Sequence, residues 1–212
     1  MRLRTSFIML VIPLLLLAAG CSKLVKDSAF YYYFNEKIYL DERRDLLFIQ
    51  FEKDLPEEQK KAIVQSDASL HPWTYHSKMG WGDETYDGIG DATFAVLQSS
   101  GRISLAKRDA FRKMDGVLWA SFLFEKNGQV IAVTNELIVK LNDAGDYPLL
   151  EQMADQYGCR VTDETLLMEN VYVLERTRTC KFEMLELVQI FHESGRFSIV
   201  DPGMIAFGAF DV

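Results

Sequence analysis

Two histidines stand in the stretch of the chain where a metal could be held. His71 and His76 are five residues apart, and Pro72 between them prevents a helix that would turn both imidazoles to one face. A tetrahedral zinc site needs further nitrogen or sulfur ligands, and none is adjacent in sequence. We therefore predict no zinc site and no cofactor in this stretch.

Three aspartates in the same glycine-rich stretch recur at intervals of four, namely Asp83, Asp87 and Asp91. A calcium loop places its carboxylates at alternating positions and ends in a glutamate, which this segment lacks. No serine or cysteine of the chain is placed by sequence beside a base that could activate it. The sequence thus predicts a protein without a metal site or a catalytic centre.

The pair Cys159 and Cys180 could form a disulfide in an oxidising compartment. The segment between them reads as two strands, 160–168 and 171–176, joined by a turn at Glu169-Asn170. Both cysteines are equally far from that turn, which would place them opposite one another at the open end of the hairpin and within bridging range. We expect a disulfide, and two free buried thiols are the alternative.

A third cysteine, Cys21, follows a typical export signal. The chain begins with Arg2 and Arg4, continues with an apolar run from Phe7 to Ala19, and reaches small residues directly before the cysteine. The run is too short to be a permanent transmembrane helix. The tetrad 18–21 resembles the lipobox of bacterial lipoproteins, which implies cleavage after residue 20, acylation of Cys21 and a place in the cell envelope, in the outer membrane or at the cell surface.

The composition limits the possible partners. The 212-residue chain has a net charge of -8 and loses two further positive charges with the signal segment, so it is a poor candidate for binding nucleic acid. With 49% hydrophobic and 12% aromatic residues, the rest of the chain can form a substantial core. We expect a membrane contact through the lipid and no other membrane segment.

The N-terminal half has the pattern of a small α+β domain, residues 30–128, after a tether at 21–29. A hairpin is predicted around Asn35-Glu36, a strand over 45–51, and a helix from an Asp54 N-cap to about Val64. Residues 66–100 are predicted to be a long irregular insertion. Ile103–Leu105 is assigned to a strand, 106–114 to a short helix and 117–124 to a strand.

The C-terminal half, residues 129–212, shows clearer periodicity. A strand at 137–141 precedes a helix opened by Asp146 and Pro148 and closed by Gly158. The predicted hairpin follows, then a helix capped by Thr179, then a strand at 197–200. This strand, helix, strand, strand, helix, strand order predicts a ferredoxin-like unit, in which two helices cover one face of a four-stranded antiparallel sheet.

Two segments of this half carry a resemblance to a known family. Val133 to Leu141 (VTNELIVKL) and Phe197 to Pro202 (FSIVDP) are similar to the first and last strands of the propeptide of subtilisin-like serine proteases. The upstream Tyr31 to Leu40 segment resembles the N-terminal extension of lipoprotein subtilases. We find no triad motif in this chain, so we expect a propeptide-like module that stands without a protease domain of its own.

The resemblance implies a module that docks its sheet face on a protease, assists the folding of that protease and inhibits it with its C-terminal tail. The tail would comprise Met204, Ile205, Ala206, Phe207, Gly208, Ala209 and Phe210. An ordinary strand of the domain is the alternative interpretation of these residues. A second functional hypothesis is a structural or ligand-capturing surface lipoprotein whose Trp73, Trp81 and Tyr86 contact a glycan or another partner.

Overall fold

The fold belongs to the α+β class, as predicted. The computed structural model describes residues 29–79, 82–86, 93–164 and 168–207. In these residues, nine strands form one sheet, two more form a separate hairpin, and there are four α-helices. Every ladder between the described strands is antiparallel.

The fold opens with a hairpin. β1 (Ala29–Tyr33) pairs with the first part of the long strand β2 (Glu36–Phe51). The turn residues are Phe34 and Asn35, with φ of 45° and 66°. The predicted hairpin is therefore present, but its turn lies one residue earlier than expected. A two-residue turn of this type needs positive φ at both central positions, which suits Asn35 much better than Phe34.

The first helix, α1 (Glu57–Val64), confirms the predicted helix but not its predicted cap. Asp54 lies before the helix with a φ of 63°, and Pro56 occupies the N-cap position, where it makes no side-chain hydrogen bond to the helix. A proline next to the first turn already has the φ that a helix start requires, so the chain can begin the helix without a capping carboxylate.

The remaining elements of the N-terminal half are five strands and one helix: β3 (His71–Pro72), β4 (Tyr75–Met79), β5 (Gly82–Tyr86), β6 (Phe94–Gln98), α2 (Leu105–Phe111) and β7 (Val117–Lys126). Two predictions are wrong here. The supposed irregular insertion 66–100 contains β6, which pairs with β2. The strand predicted at Ile103–Leu105 is absent, because Ser104 caps α2 by accepting a hydrogen bond from the Lys107 amide.

The C-terminal half contains the six predicted elements and a short 3-10 turn: β8 (Gln129–Leu141), the turn Ala144–Asp146, α3 (Tyr147–Tyr157), β9 (Cys159–Glu164), β10 (Val171–Arg176), α4 (Met184–Glu193) and β11 (Phe197–Phe207). Gly158 closes α3 in the left-handed conformation, as predicted. α4 begins five residues after Thr179, because Glu183 and Glu186 form a capping box at its start.

The large sheet joins both halves of the chain. Its strand order is β3-β6-β2-β7-β8-β10-β9, with β1 paired to β2 and β11 paired to β8. β8 pairs with β11 along residues 130–141, and on its other side with β7 at 129–131 and with β10 at 136–140. The sheet therefore runs across the boundary that the sequence predicted between residues 128 and 129.

The middle of the sheet is buried on both faces. Along β2, Leu46 and Phe48 belong to the core cluster that includes α3 and α4, whereas Leu47 and Ile49 belong to the cluster under α1 and α2. This alternation follows from the two-residue period of a strand. No helix in the described part of the chain has the length and apolarity to cross a membrane.

Candidate binding surface on the C-terminal sheet

One face of the C-terminal strands lies opposite to α3 and α4. Along β8, Leu137 and Val139 are buried in the core, and the alternate residues are half-buried on the other side. We call this other side the outer face, and its members on β8, β10 and the edge strand β11 are Glu136, Ile138, Lys140, Val171, Val173, Glu175, Ile199 and Asp201, of which Val171 is buried.

The centre of the outer face is apolar. Ile138 lies between Val173 of β10 and Asp201 of β11, and Ile199 lies opposite Lys140. Ile138, Val173 and Ile199 are half-buried, and neither core cluster of the described residues includes them. Ile138 and Val173 thus form an apolar patch outside the core clusters, and Ile199 lies at its edge, where it lines a small cavity with Tyr33 and Phe34 of the N-terminal hairpin.

The margin of the outer face is acidic. Glu136 lies directly opposite Glu175, whose carboxylate accepts a hydrogen bond from Arg160 at 2.6 Å. Burial, and secondly the charge of Glu175, raise the pKa of Glu136. Burial also raises the pKa of Asp201, while His192 acts in the opposite direction. Like charges opposite one another in a sheet destabilise it, so this arrangement costs the free protein stability.

The arrangement of the outer face resembles that of a protein-binding surface. An apolar centre with a polar margin is the usual anatomy of a protein interface. The carboxylates would favour a partner surface that carries positive charge. In the part of the chain that the structure describes, no group of three or more histidine, cysteine, aspartate or glutamate side chains is arranged to hold a metal ion.

The predicted tail is partly a strand of the domain. Residues 204–207 form the end of β11 and pair with β8, from Met204 opposite Val133 to Phe207 opposite Val130. Phe207 is buried, and its ring packs edge-on against Trp73 and Phe94. For these four residues the ordinary-strand alternative is correct, because one strand edge and the terminal aromatic ring are already used inside the fold. Gly208, Ala209 and Phe210 lie outside the described residues.

Cys159 and Cys180 are neighbours, but not through the predicted register. The strand partner of Cys159 is Arg176, so the hairpin register assumed from the sequence is wrong. A turn after β10 brings Cys180 back instead: the Thr177 amide donates to the Gly158 carbonyl, and the Cys180 amide donates to the Thr177 carbonyl. Both residues are buried free cysteines, and the Cys180 thiol donates a hydrogen bond to the Phe182 carbonyl at 3.7 Å. The disulfide itself stays a prediction.

Other residues singled out by the sequence take separate places. Cys21 and Trp81 lie outside the described residues, and Tyr86 lies in β5. His71 is exposed in β3. Trp73 packs on Phe207 and so contributes to the core rather than to a glycan-binding surface.

A third histidine, His192, fastens the N-terminal hairpin to α4. It lies in the last turn of α4, and its ring stacks on Tyr32 of β1 with 4.0 Å between centroids. The Tyr32 hydroxyl donates to Glu193, and Gln189 donates to the Phe30 carbonyl. The N-terminal hairpin is thus fastened to α4, a contact over more than 150 residues of sequence that no local pattern could indicate.

Sequence reasoning also missed an arginine cluster around Trp119. The guanidinium of Arg112 lies 3.9 Å from the Trp119 ring centroid, and that of Arg176 lies 4.8 Å from it. Arg112 makes a bidentate pair with Glu183 at 2.7 and 2.8 Å, which together with Arg108 lowers the pKa of that carboxyl against the effect of its burial. The cluster joins α2 of the N-terminal half to the start of α4.

A cavity of about 660 Å³ lies beside this cluster, between α4 and strands β1, β2 and β7. Its walls are mainly aromatic and apolar, with Phe30, Tyr39 and Phe124 among them, and Arg108 and Glu186 contribute polar groups. A volume of this size is within the range of small-molecule sites. Arg108 is paired with Asp109 and Glu183, and Glu186 caps α4, so these groups are engaged within the protein.

Comparisons with known proteins identify no family for this chain. No protein-family model matches the sequence, and no curated protein matches it.

Proposed function

We propose that this protein is a non-catalytic, lipid-anchored binding module that resembles a subtilase propeptide and acts as an inhibitor or folding chaperone of a protease. The observation that carries the proposal is the arrangement of the two resembling segments. They are neighbouring strands, with Leu137 opposite Pro202 and Val139 opposite Val200. Two segments separated by more than 50 residues thus pair with one another, which supports the proposed resemblance.

The neighbours of these strands add support. The order β11-β8-β10-β9, with α3 and α4 packed on one side, is the order expected of a ferredoxin-like unit. In such a unit the side of the sheet without helices is available to a partner. Here that side is the outer face, with its apolar centre and acidic margin.

We therefore assign the main contact with the protease to the outer face of the sheet and not to the C-terminal tail. Residues 204–207 are held by β8, so the outer face is the main binding surface and the tail contributes at most its last residues. Lipidation of Cys21 would hold this surface close to partners in the same envelope and raise their effective concentration. Interface formation would also bury Ile138 and Val173, which the free protein leaves half-exposed.

The direct test is an inhibition and binding assay with the secreted subtilisin-like proteases of the host. We expect binding at micromolar concentration or tighter, and weaker binding for Ile138→Arg and Val173→Arg. Leu105→Arg is the matched control, because Leu105 is an exposed apolar residue on α2, far in sequence from the outer face. Equal loss of binding in all three variants, or no binding of the parent to any such protease, would refute the proposal.

The cavity beside Trp119 favours the second hypothesis, a ligand-capturing surface lipoprotein. A small apolar ligand in this cavity would raise the unfolding temperature by mass action. The two hypotheses separate in one experiment: Phe124→Trp would fill part of the cavity and weaken ligand capture, whereas it would leave protease binding through the outer face unchanged.

A further inference from the structure

The tip of the N-terminal hairpin presents two aromatic side chains to the outside. Phe34 is 81% exposed and Tyr33 is 54% exposed, and their rings contact each other edge-on with 4.6 Å between centroids. The rest of the hairpin is well fastened, since Tyr32 stacks on His192 and donates to Glu193. The exposed rings are thus held on a fixed support.

The backbone at this tip is unfavourable for its residue. Phe34 has a φ of 45°, a region that a bulky side chain rarely adopts and that costs about 1–2 kcal/mol. Because the ring is exposed to water, it gains little of the hydrophobic free energy that could offset this cost. A residue that is both strained and exposed in the free domain indicates a contact made outside it.

The position of the tip in the chain indicates what that contact is. Seven residues, 22–28, connect Cys21 to the start of β1, and they span at most about 25 Å when extended. β1 itself is five residues long, so its last residue lies about 14 Å from Ala29. The tip can therefore reach any surface to which Cys21 is attached.

The charges nearby fit the same surface. Three lysines, Lys23 and Lys26 in the connecting residues and Lys37 on β2, outnumber the two carboxylates of the same stretch, Asp27 and Glu36, and the Lys37 ammonium lies 4.4 Å from the Phe30 ring centroid. Ammonium groups attract lipid phosphates, and aromatic rings prefer the level of the headgroups.

We propose that Tyr33 and Phe34 insert into the interfacial layer of the membrane that holds the acylated Cys21. This inference rests on the proposed lipid attachment. A lipid attached through a single chain segment leaves the domain free to rotate, whereas a second contact at the hairpin tip fixes its orientation. The aromatic tip would then determine which way the outer face points.

The test uses the mature lipidated protein in phosphatidylcholine vesicles with a minor share of phosphatidylglycerol. Phe34→Trp adds a fluorescent reporter at the tip to the three native tryptophans. Leu105→Trp, also at an exposed apolar residue, is the matched control. We expect the emission added by Phe34→Trp to shift to shorter wavelength and to lose most of its intensity with brominated acyl chains, while that of Leu105→Trp changes little.

Equal quenching of the two added tryptophans in a protein that carries its lipid would overturn the inference and leave the lipid attachment intact. That result is also expected if the tip contacts a protein partner instead. The intact mass of the protein extracted from the envelope tests the attachment separately. A mass without acyl chains would refute the lipid anchor of the proposed function and, with it, this inference.

Discussion

The indole N–H of Trp119 donates a hydrogen bond to the backbone carbonyl of Val133 at 3.1 Å. The bond lies where β7 and β8 have separated, since their ladder ends at the pair Phe124 and Ile131. The Ser121 hydroxyl donates to the same carbonyl at 3.2 Å. Side chains thus replace the missing strand partner, as a buried backbone acceptor in a gap of the sheet requires.

Loss of both donors should cost more than the sum of the single losses. Ser121→Ala leaves Trp119 on the carbonyl, and we expect a destabilisation below about 1 kcal/mol. Trp119→Phe also removes packing, and we expect about 1–3 kcal/mol. The double variant leaves Val133 without a side-chain donor, so urea unfolding should give a coupling energy of about 1 kcal/mol. Strictly additive effects would show that the shared carbonyl is unimportant.

Gly158 should tolerate alanine much less well than Gly195. Both have a positive φ, 71° and 66°, so both substitutions incur the left-handed penalty of about 1 kcal/mol. A Cβ on Gly158 would also lie 3.0 Å from the Cα of Cys180, whereas nothing lies within 4 Å at Gly195. We expect Gly158→Ala to be more destabilising by a further 1 kcal/mol or so in chemical denaturation. Equal losses of stability in the two variants would mean that the turn carrying Cys180 can move away from the new Cβ at little cost.

Glu136 should make the free protein less stable as the pH rises. Burial and Glu175 raise its pKa in the folded state, so the folded state binds more protons than the unfolded state between the ordinary carboxyl pKa and the raised one. The loss of stability that the charged Glu136 causes is absent below that pH interval and complete above it. We expect Glu136→Gln to increase the free energy of unfolding at pH 7 by a few tenths of a kcal/mol to about 1 kcal/mol, and to change nothing at pH 3.

Asp67 provides a control, because its pKa is lowered in the folded protein whereas that of Glu136 is raised. A hydrogen bond from Lys107, then those from Ser69, lower its pKa to about 2. Its contribution is therefore present above the ordinary carboxyl pKa and disappears as the pH falls toward 2. Asp67→Asn should lower the stability at pH 7, and this loss should shrink to a small part of its value as the pH falls to 2. If both variants shifted stability in the same direction at pH 7, the assignment of the two shifts would be wrong.

The variant Glu136→Gln should also affect protease binding and the stability of the free protein in opposite directions. If the outer face contacts a protease, Glu136→Gln should weaken that binding although it stabilises the free protein. A purely structural residue would not produce this opposition, because a more stable domain would bind at least as well. Inhibition titrations beside thermal unfolding of the same preparation provide the comparison.

The sequence predicted elements well where a helix had one apolar face. Leu150, Met153, Leu187 and Phe191 recur at helical spacing, and all are buried as that spacing requires. β6 was missed because Ala95, Val96 and Leu97 are consecutive and buried on both faces, which removes the alternation that identifies a strand. β6 has only five residues and lies next to a glycine-rich stretch, so no other local pattern identifies it.

Local sequence patterns could not predict the contacts between segments that lie far apart in the chain. The outer face depends on register between β8, β10 and β11, and a shift of one residue would turn Ile138 into the core. The bidentate pair of Arg112 with Glu183 joins residues 71 positions apart. The cysteine pair illustrates the same limit: the sequence located the right two residues, but it assumed a simple hairpin where the chain makes an additional turn at Thr177.

The oxidised protein should contain a disulfide between Cys159 and Cys180. Both cysteines are buried, the turn at Thr177 brings them together, and the compartment implied by the export signal permits oxidation. A bond enclosing roughly 20 residues should stabilise the fold by about 3 kcal/mol through restriction of the unfolded chain. Unreduced protein should be two hydrogens lighter than reduced protein and should unfold at a lower temperature once a reductant is added. Cys159→Ser and Cys180→Ser should each abolish this dependence on the reductant.

The order of events during oxidation is also predictable. Burial raises the pKa of the Cys159 thiol to about 12, so very little of the reactive thiolate is present in the folded protein at neutral pH. The reduced, folded protein should therefore form the bond slowly, and mild denaturant should accelerate the reaction by exposing the thiol. Time courses of alkylation in buffer and in urea measure both rates. Complete alkylation of both cysteines in unreduced protein from the envelope would exclude the bond, and the pair would then be two buried thiols that pack against Gly158.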